Sequence, residues 1–113
     1  MKFSSSLKLN HIFQRLYRTD GQANSMLVLY ARRNRTGKNR VGITVGKKLG
    51  HAVVRNRTRR RLREVYRLNL PQMRSGYDII LVARGKTATA PWKELNSTFL
   101  KLCRKLDLLE EQA

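Results

Sequence analysis

The spacing of hydrophobic residues along the chain predicts three helices and three strands. Apolar side chains recur at helical spacing over residues 11–18, 53–70 and 91–106. Asn10 precedes the first of these segments and can cap it, and Pro71 ends the second. Strand-forming residues are concentrated in three shorter segments, residues 25–33, 40–48 and 77–84.

The three predicted strands differ in how their faces are built. In residues 40–48, branched apolar residues alternate with small ones, so one face needs a cover and the other can admit a ligand. A polar, basic loop joins this strand to residues 25–33, which predicts an antiparallel hairpin. Residues 77–84 are apolar at nearly every position, as in a central strand.

The order of elements, α, β, β, α, β, α, predicts an α+β fold. We expect a small two-layer α/β sandwich in which helices pack on one mixed sheet. The pattern leaves open one further short strand. A chain of 113 residues has room for a single core, so residues 1–113 are expected to form one domain.

Composition points to a polyanionic partner. The chain has 25 Lys and Arg against 7 Asp and Glu, a formal net charge of +18. Its 41% hydrophobic content argues against a disordered basic tail. No apolar run is long enough to cross a bilayer and no signal peptide is evident, so we expect a cytoplasmic protein without a membrane partner. Cys103, the only cysteine, is predicted to be a buried thiol.

The positive charge is concentrated between Gly21 and Arg63, where no acidic residue occurs and 13 of the 25 basic residues lie. In the predicted helix over residues 53–70, one narrow arc can dock on the sheet: Val54, Thr58, Leu62, Val65 and Asn69. Arginines occupy most of the remaining circumference: Arg55, Arg57, Arg59, Arg60, Arg61, Arg63 and Arg67. Glu64 alone cannot balance them, which indicates that phosphates supply the counter-charge.

Aromatic residues beside this basic surface favour single-stranded RNA. Phe13 and Tyr17 share a face of the first predicted helix, and Tyr30 lies on the first predicted strand. Exposed rings can stack on unpaired bases. Burial in the core is the alternative, and periodicity favours it for Phe13. No helix-turn-helix unit is evident around the basic helix.

The chain shows no clear catalytic motif. Its carboxylates are scattered, whereas metal-assisted cleavage of phosphodiesters needs carboxylates that converge. GITVGKK has three residues between its glycines where a phosphate-binding P-loop needs four. A stand-alone nuclease that uses His11 and His51 as acid and base remains an alternative.

The run RVGITVGKKLGHAVVRNRTRRRLR, residues 40–63, closely resembles the central block of the protein subunit of bacterial ribonuclease P. The order of the other segments is similar too, so the resemblance covers nearly the whole chain. It implies a noncatalytic partner of a catalytic RNA that removes the 5′ leader from precursor transfer RNA. It also implies that Mg²⁺ is bound mainly by that RNA, and it requires no obligate protein partner.

The resemblance also implies which residues bind RNA. The catalytic RNA would contact Lys47, Lys48, Arg55, Asn56, Arg57, Arg59, Arg60 and Arg63. The single-stranded leader would lie in a cleft between the first helix and the sheet, lined by Phe13, Tyr17, Tyr30 and Arg55. Arg59 stands where lysine is common in the family, and Tyr17 where phenylalanine is frequent.

In the family resembled, the strand, basic helix and strand form a left-handed βαβ crossover, an exception to the usual handedness. The same charge pattern would also suit a structural RNA-binding protein of the ribosomal type or an RNA chaperone. Such a protein would not stimulate leader removal.

Overall fold

A computed structural model describes residues 4–6, 10–18, 21–24 and 26–110. Its helices and strands are, in chain order, β1 (Ser4–Ser6), α1 (Asn10–Tyr17), β2 (Gln22–Ala23), β3 (Leu27–Arg33), β4 (Asn39–Thr44), α2 (Ala52–Asn69), β5 (Tyr77–Ala83) and α3 (Trp92–Lys105). Short 3-10 turns at Lys47–Leu49, Leu70–Gln72 and Gly85–Thr87 follow β4, α2 and β5. The predicted α+β fold is confirmed, with short strands β1 and β2 added.

The strands form one mixed sheet in the order β1-β4-β5-β3-β2. β5 is central, as its apolar sequence predicts, and pairs in parallel with β4 and antiparallel with β3. The predicted hairpin between the strands now labelled β3 and β4 is therefore wrong. β5 lies between β3 and β4, because its side chains Ile79, Ile80 and Leu81 are completely buried on both faces of the sheet.

Helices pack on both faces of this sheet. α2 and α3 cover the face that carries Ile79 and Leu81, and together they enclose the main core. Four residues of the docking arc predicted for α2 are buried, Thr58, Leu62, Val65 and Asn69, together with Tyr66, and Val54 is half-buried. α1 lies on the opposite face, where Leu16 packs against Ile80.

β4, α2 and β5 form the predicted βαβ unit. The two strands are parallel neighbours, and α2 is the connection between them. The left-handedness of this crossover stays a prediction.

Cys103 is buried in the main core, as predicted. Removal from water raises the pKa of its thiol to about 12. The side chain is therefore a protonated, packing thiol at neutral pH. Among the residues described, no helix is both long and apolar enough to span a membrane.

Candidate nucleic-acid interface

The outer side of α2 presents a dense set of arginines to solvent. Arg57, Arg60 and Arg63 are exposed, and Arg59 is partly buried with a hydrogen bond from its Nη1 to Asn56 Oδ1 at 3.2 Å. In the described part of the chain, none of these four arginines forms an ion pair with a carboxylate. Their charge is available to an external anion.

A shallow depression of about 250 Å³ lies on this side of α2, between Val53, Asn56, Arg57 and Arg60. The Val53 side chain is strongly exposed. Apolar contact and guanidinium forks therefore occur on the same surface. This combination suits a nucleic-acid backbone, whose sugars are less polar than its phosphates.

Glu64 is committed to one neighbour on α2. Its carboxylate accepts hydrogen bonds from Arg67 Nε and Nη2 at 3.0 and 2.9 Å. These hydrogen bonds lower the pKa of Glu64 below its ordinary value, so the carboxylate is ionised at neutral pH. Glu64 thus offsets Arg67 and leaves the other arginines uncompensated.

Arg61 departs from the predicted basic surface. Its guanidinium turns toward the protein, where Nη1 donates to the Thr87 carbonyl at 2.9 Å and Nη2 donates to the Ala90 carbonyl. Both acceptors belong to the connection between β5 and α3. Arg61 therefore ties α2 to that connection, a role that helical periodicity does not reveal.

Arg55 lies in the first turn of α2, just beyond the carboxyl end of β4. It is partly buried, and its Nε atom is buried with no hydrogen-bond partner among the described residues. A buried donor without an acceptor is costly.

Lys47 and Lys48 are exposed in the turn that precedes α2. Gly50 follows them with φ of +132°, and a Cβ atom there would lie 3.1 Å from Cβ of Val54. Only glycine suits this conformation and this close approach. Gly50 thus allows the tight connection that places the turn with the two lysines next to the first turn of α2.

Tyr17 and Tyr30 are brought together as predicted, on the α1 side of the sheet. Their rings meet edge to face, with centroids 5.1 Å apart. Tyr17 is 44% exposed, and its hydroxyl lies 3.4 Å from Thr44 Oγ1. The small residues of β4, Gly42 and Thr44, share this sheet face with Tyr30, as the alternation predicts.

Gly21 packs against the ring of Tyr30. A Cβ atom at Gly21 would lie 2.6 Å from Cε1 of Tyr30, so any side chain there would displace the ring. The predicted site residue Phe13 has its side chain outside the described part of the structure.

A second basic cavity lies on the same sheet face, next to Tyr30 along β3. It is lined mainly by Arg15, Arg32, Arg33, Arg35, Arg40 and Asp78. No sequence pattern predicted this cavity. Of its arginines, only Arg35 belongs to the basic loop between β3 and β4, and the strand pairing is needed to place Arg32 and Arg40 beside Asp78.

The histidine pair of the alternative nuclease stays a prediction. His51 is an exposed residue at the amino end of α2, and the side chain of His11 lies outside the described residues. In the described ranges no group of three or more His, Cys, Asp or Glu residues could hold a metal ion.

Comparison with known proteins agrees with this geometry. A family model described as "Ribonuclease P" matches residues 1–107. The ribonuclease P protein component of Alkaliphilus oremlandii is 42% identical over 110 residues, 96% of each chain. That of Natranaerobius thermophilus is 43% identical over 107 residues, 94% of this chain and 93% of the relative.

Solved structures are similar as well. The Staphylococcus aureus RNase P protein superposes with a TM-score of 0.80 at 29% identity, over 93% of this chain and 97% of that one. The Thermotoga maritima RNase P protein gives a TM-score of 0.79 at 27% identity, over 88% of this chain and 96% of that one.

Proposed function

The chain belongs to the ribonuclease P protein family, and we propose that it acts there by binding and positioning RNA, not by cleaving it. As a member of this family it is part of a ribonuclease and assists RNA-mediated removal of the 5′ leader of precursor transfer RNA. The catalytic groups belong to the RNA of this cytoplasmic ribonucleoprotein.

The arginine-rich side of α2 is the observation that carries this proposal. We assign contact with the catalytic RNA to Lys47, Lys48, Arg55, Asn56, Arg57, Arg59, Arg60 and Arg63. All eight lie in α2 or in the turn before it, and none pairs with a carboxylate in the described part of the chain. Neutralising phosphates there lets two polyanionic RNAs approach each other.

The tyrosine cleft is the proposed site for the single-stranded leader. Tyr17 and Tyr30 present ring surface above a floor of small β4 residues. Arg55, in the first turn of α2, is predicted to lie at the end of this cleft. Phe13 is predicted to complete the cleft from α1. Stacking tolerates all four bases, so leader binding is expected to depend little on base identity.

Magnesium belongs to the RNA in this proposal. Three of the five described carboxylates, Glu64, Asp78 and Asp107, are each bound to an arginine, and the described residues contain no group of three or more His, Cys, Asp or Glu that could hold a metal ion. Bound Mg²⁺ would supply the charge stabilisation for phosphodiester hydrolysis. The protein reduces phosphate repulsion around the RNA and so lowers the magnesium concentration that assembly requires.

Reconstitution at low Mg²⁺ tests this function. Purified protein is mixed with ribonuclease P RNA and a precursor transfer RNA, and leader removal is measured with and without protein. We expect processing to be at least tenfold faster with protein. Equal rates would favour a ribosomal-type RNA-binding protein or an RNA chaperone. Cleavage by the protein alone, lost in His51→Ala, would favour a stand-alone nuclease.

Tyr17 provides a test of the leader cleft. Replacing it with leucine removes the exposed ring, and a stacked base contributes about 1 to 3 kcal/mol. We expect Tyr17→Leu to weaken holoenzyme binding of leader-bearing precursor about tenfold and to leave binding of mature transfer RNA unchanged. Tyr17→Phe is the matched control, because it keeps the ring and removes the hydroxyl that lies 3.4 Å from Thr44 Oγ1. Equal losses in both variants would contradict base stacking.

A further inference from the structure

The sheet face that carries the tyrosine cleft continues into a charged row. Tyr30 of β3 lies beside Ile80 of β5 in the strand register. Two residues further along, Arg32 lies beside Asp78, and Asp78 lies beside Arg40 of β4. Residues two apart on a strand point to the same face about 7 Å from each other. The charged row of Arg32, Asp78 and Arg40 therefore lies next to the row that carries Tyr30.

The second basic cavity described above, a groove of about 410 Å³, opens at this row; we call it the arginine groove. Five arginines line it, Arg15, Arg32, Arg33, Arg35 and Arg40, with one carboxylate, Asp78. Formally, four of the five positive charges are uncompensated within the lining. Such a concentration of guanidinium groups around one concave surface favours phosphate.

Asp78 is already held by Arg40 and Asn34. Its Oδ1 accepts hydrogen bonds from Arg40 Nε at 2.6 Å and Asn34 Nδ2 at 2.9 Å, and its Oδ2 accepts one from Arg40 Nη2 at 2.6 Å. The Asp78 side chain is only 9% exposed. Arg40 is thereby fixed as one wall of the groove. In the described chain the other four arginines form no ion pair with a carboxylate.

The loop that carries Arg35 is held in place before any ligand binds. Asn34 Oδ1 accepts hydrogen bonds from the backbone N and the hydroxyl of Thr36, at 3.0 and 2.9 Å. The Asn34 backbone N donates to the Gly76 carbonyl at 2.8 Å. A loop fixed in this way loses less entropy when it binds.

We propose that this groove binds backbone phosphates of the precursor's 5′ leader, on the 5′ side of the nucleotides held by Tyr17 and Tyr30. The proposal rests on the function proposed above. α2 begins beyond the carboxyl end of β4, whereas Arg40 lies near the amino end of that strand. From Thr44 to Arg40 is about 13 Å at the usual rise per residue.

This geometry orders the leader along the protein. The cleavage site lies toward the catalytic RNA and hence toward α2, so the leader passes the tyrosines first and the arginine groove afterwards. Contiguity with the aromatic row is what favours the leader over the catalytic RNA as the source of the phosphates. A longer leader then gains affinity through charge, without regard to its sequence.

A leader-length series tests the proposal. The holoenzyme is reconstituted with the full chain, and equilibrium binding is measured for precursors whose leaders are shortened stepwise from the 5′ end, with Ca²⁺ replacing Mg²⁺ to slow cleavage. The variant is the double substitution Arg32→Ala and Arg35→Ala, at two exposed positions. The control, Lys101→Ala with Arg104→Ala, removes the same charge from the exposed side of α3.

We expect the Arg32 and Arg35 variant to bind long leaders at least fivefold more weakly than wild type and short leaders equally well. Its slope of log affinity against log salt for long leaders should fall by about 1.4, or about 0.7 for each lost phosphate contact. A loss that is the same at every length would place the groove on the catalytic RNA and overturn the proposal. No loss at any length would show that the groove binds no RNA.

Failure of the proposed function would look different. In that case wild-type affinity would not depend on the leader at all, and Tyr17→Leu would have no effect. If wild type gains affinity with leader length and Tyr17→Leu weakens binding, but the arginine variant matches the α3 control, only the groove assignment is wrong.

Discussion

Replacing Arg57, Arg60 and Arg63 together with alanine is expected to weaken binding of the catalytic RNA about 100-fold at physiological salt. All three side chains are exposed on α2 and lack carboxylate partners in the described residues. Charge-assisted hydrogen bonds contribute about 1.5 to 3 kcal/mol, and screening at an exposed surface reduces this to about 1 kcal/mol each. Three such contacts give about 3 kcal/mol, which corresponds to about 100-fold.

The salt dependence of binding is the decisive measurement for this variant. Each arginine that neutralises a phosphate contributes about 0.7 to 0.9 to the slope of log affinity against log salt. The triple variant should therefore lower the slope by about 2 to 3. Its melting temperature should stay close to wild type, because none of the three side chains packs in the core.

A matched control separates a specific surface from net charge alone. Lys101, Arg104 and Lys105 are exposed on α3, and replacing all three with alanine also removes three positive charges. We expect this control to weaken RNA binding only a few-fold. If the two triple variants lose equal affinity and slope, the catalytic RNA does not use the arginine side of α2 in preference to the rest of the surface.

The sequence pattern predicted those parts of the fold in which one side of a single helix or strand is buried, or both sides are. The arc of α2 that docks on the sheet repeats with helical period because water is excluded from one side of a cylinder. The central place of β5 follows from its apolar run in the same way. The pairing of β3 with β5 could not be predicted so directly, since hydrogen bonds between distant strands leave no periodic signal in either one.

In the candidate site too, features of a single element could be predicted and features that depend on strand pairing could not. The exposure of Arg57, Arg60 and Arg63 follows from their positions on a helix that docks by its opposite side. The meeting of Tyr17 with Tyr30 was expected from resemblance to a family, and the structure shows their rings in contact. The arginine groove was not predicted, because only the strand register brings Arg32 and Arg40 beside Asp78.

The sequence predicts Arg61 on the basic surface of α2, whereas in the structure its guanidinium binds backbone carbonyls of the protein. It lies between Arg60 and Leu62, the first exposed and the second buried, so helical period alone leaves its direction open. The structure turns it toward the carbonyl groups of Thr87 and Ala90, two buried residues. A guanidinium reaches both acceptors because its donors form a planar fork.

Arg61→Ala is therefore expected to destabilise the fold and to leave the RNA surface intact. Two carbonyl groups would lose their donor, at about 1 to 3 kcal/mol each where water cannot replace it. A total of about 3 kcal/mol would lower the melting temperature by about 10 °C in a chain of this size. Thermal unfolding followed by circular dichroism measures this loss.

Arg60→Ala is the neighbouring control, with the opposite expectation. Its melting temperature should stay within about 2 °C of wild type, because an exposed substitution changes stability by about 0.5 kcal/mol or less. Its salt slope for binding the catalytic RNA should fall by about 0.7 to 0.9. At temperatures well below its melting point, Arg61→Ala should keep the wild-type slope. A reduced slope with an unchanged melting temperature in Arg61→Ala would instead place that guanidinium on the RNA, and the hydrogen bonds to Thr87 and Ala90 would not describe the protein in solution.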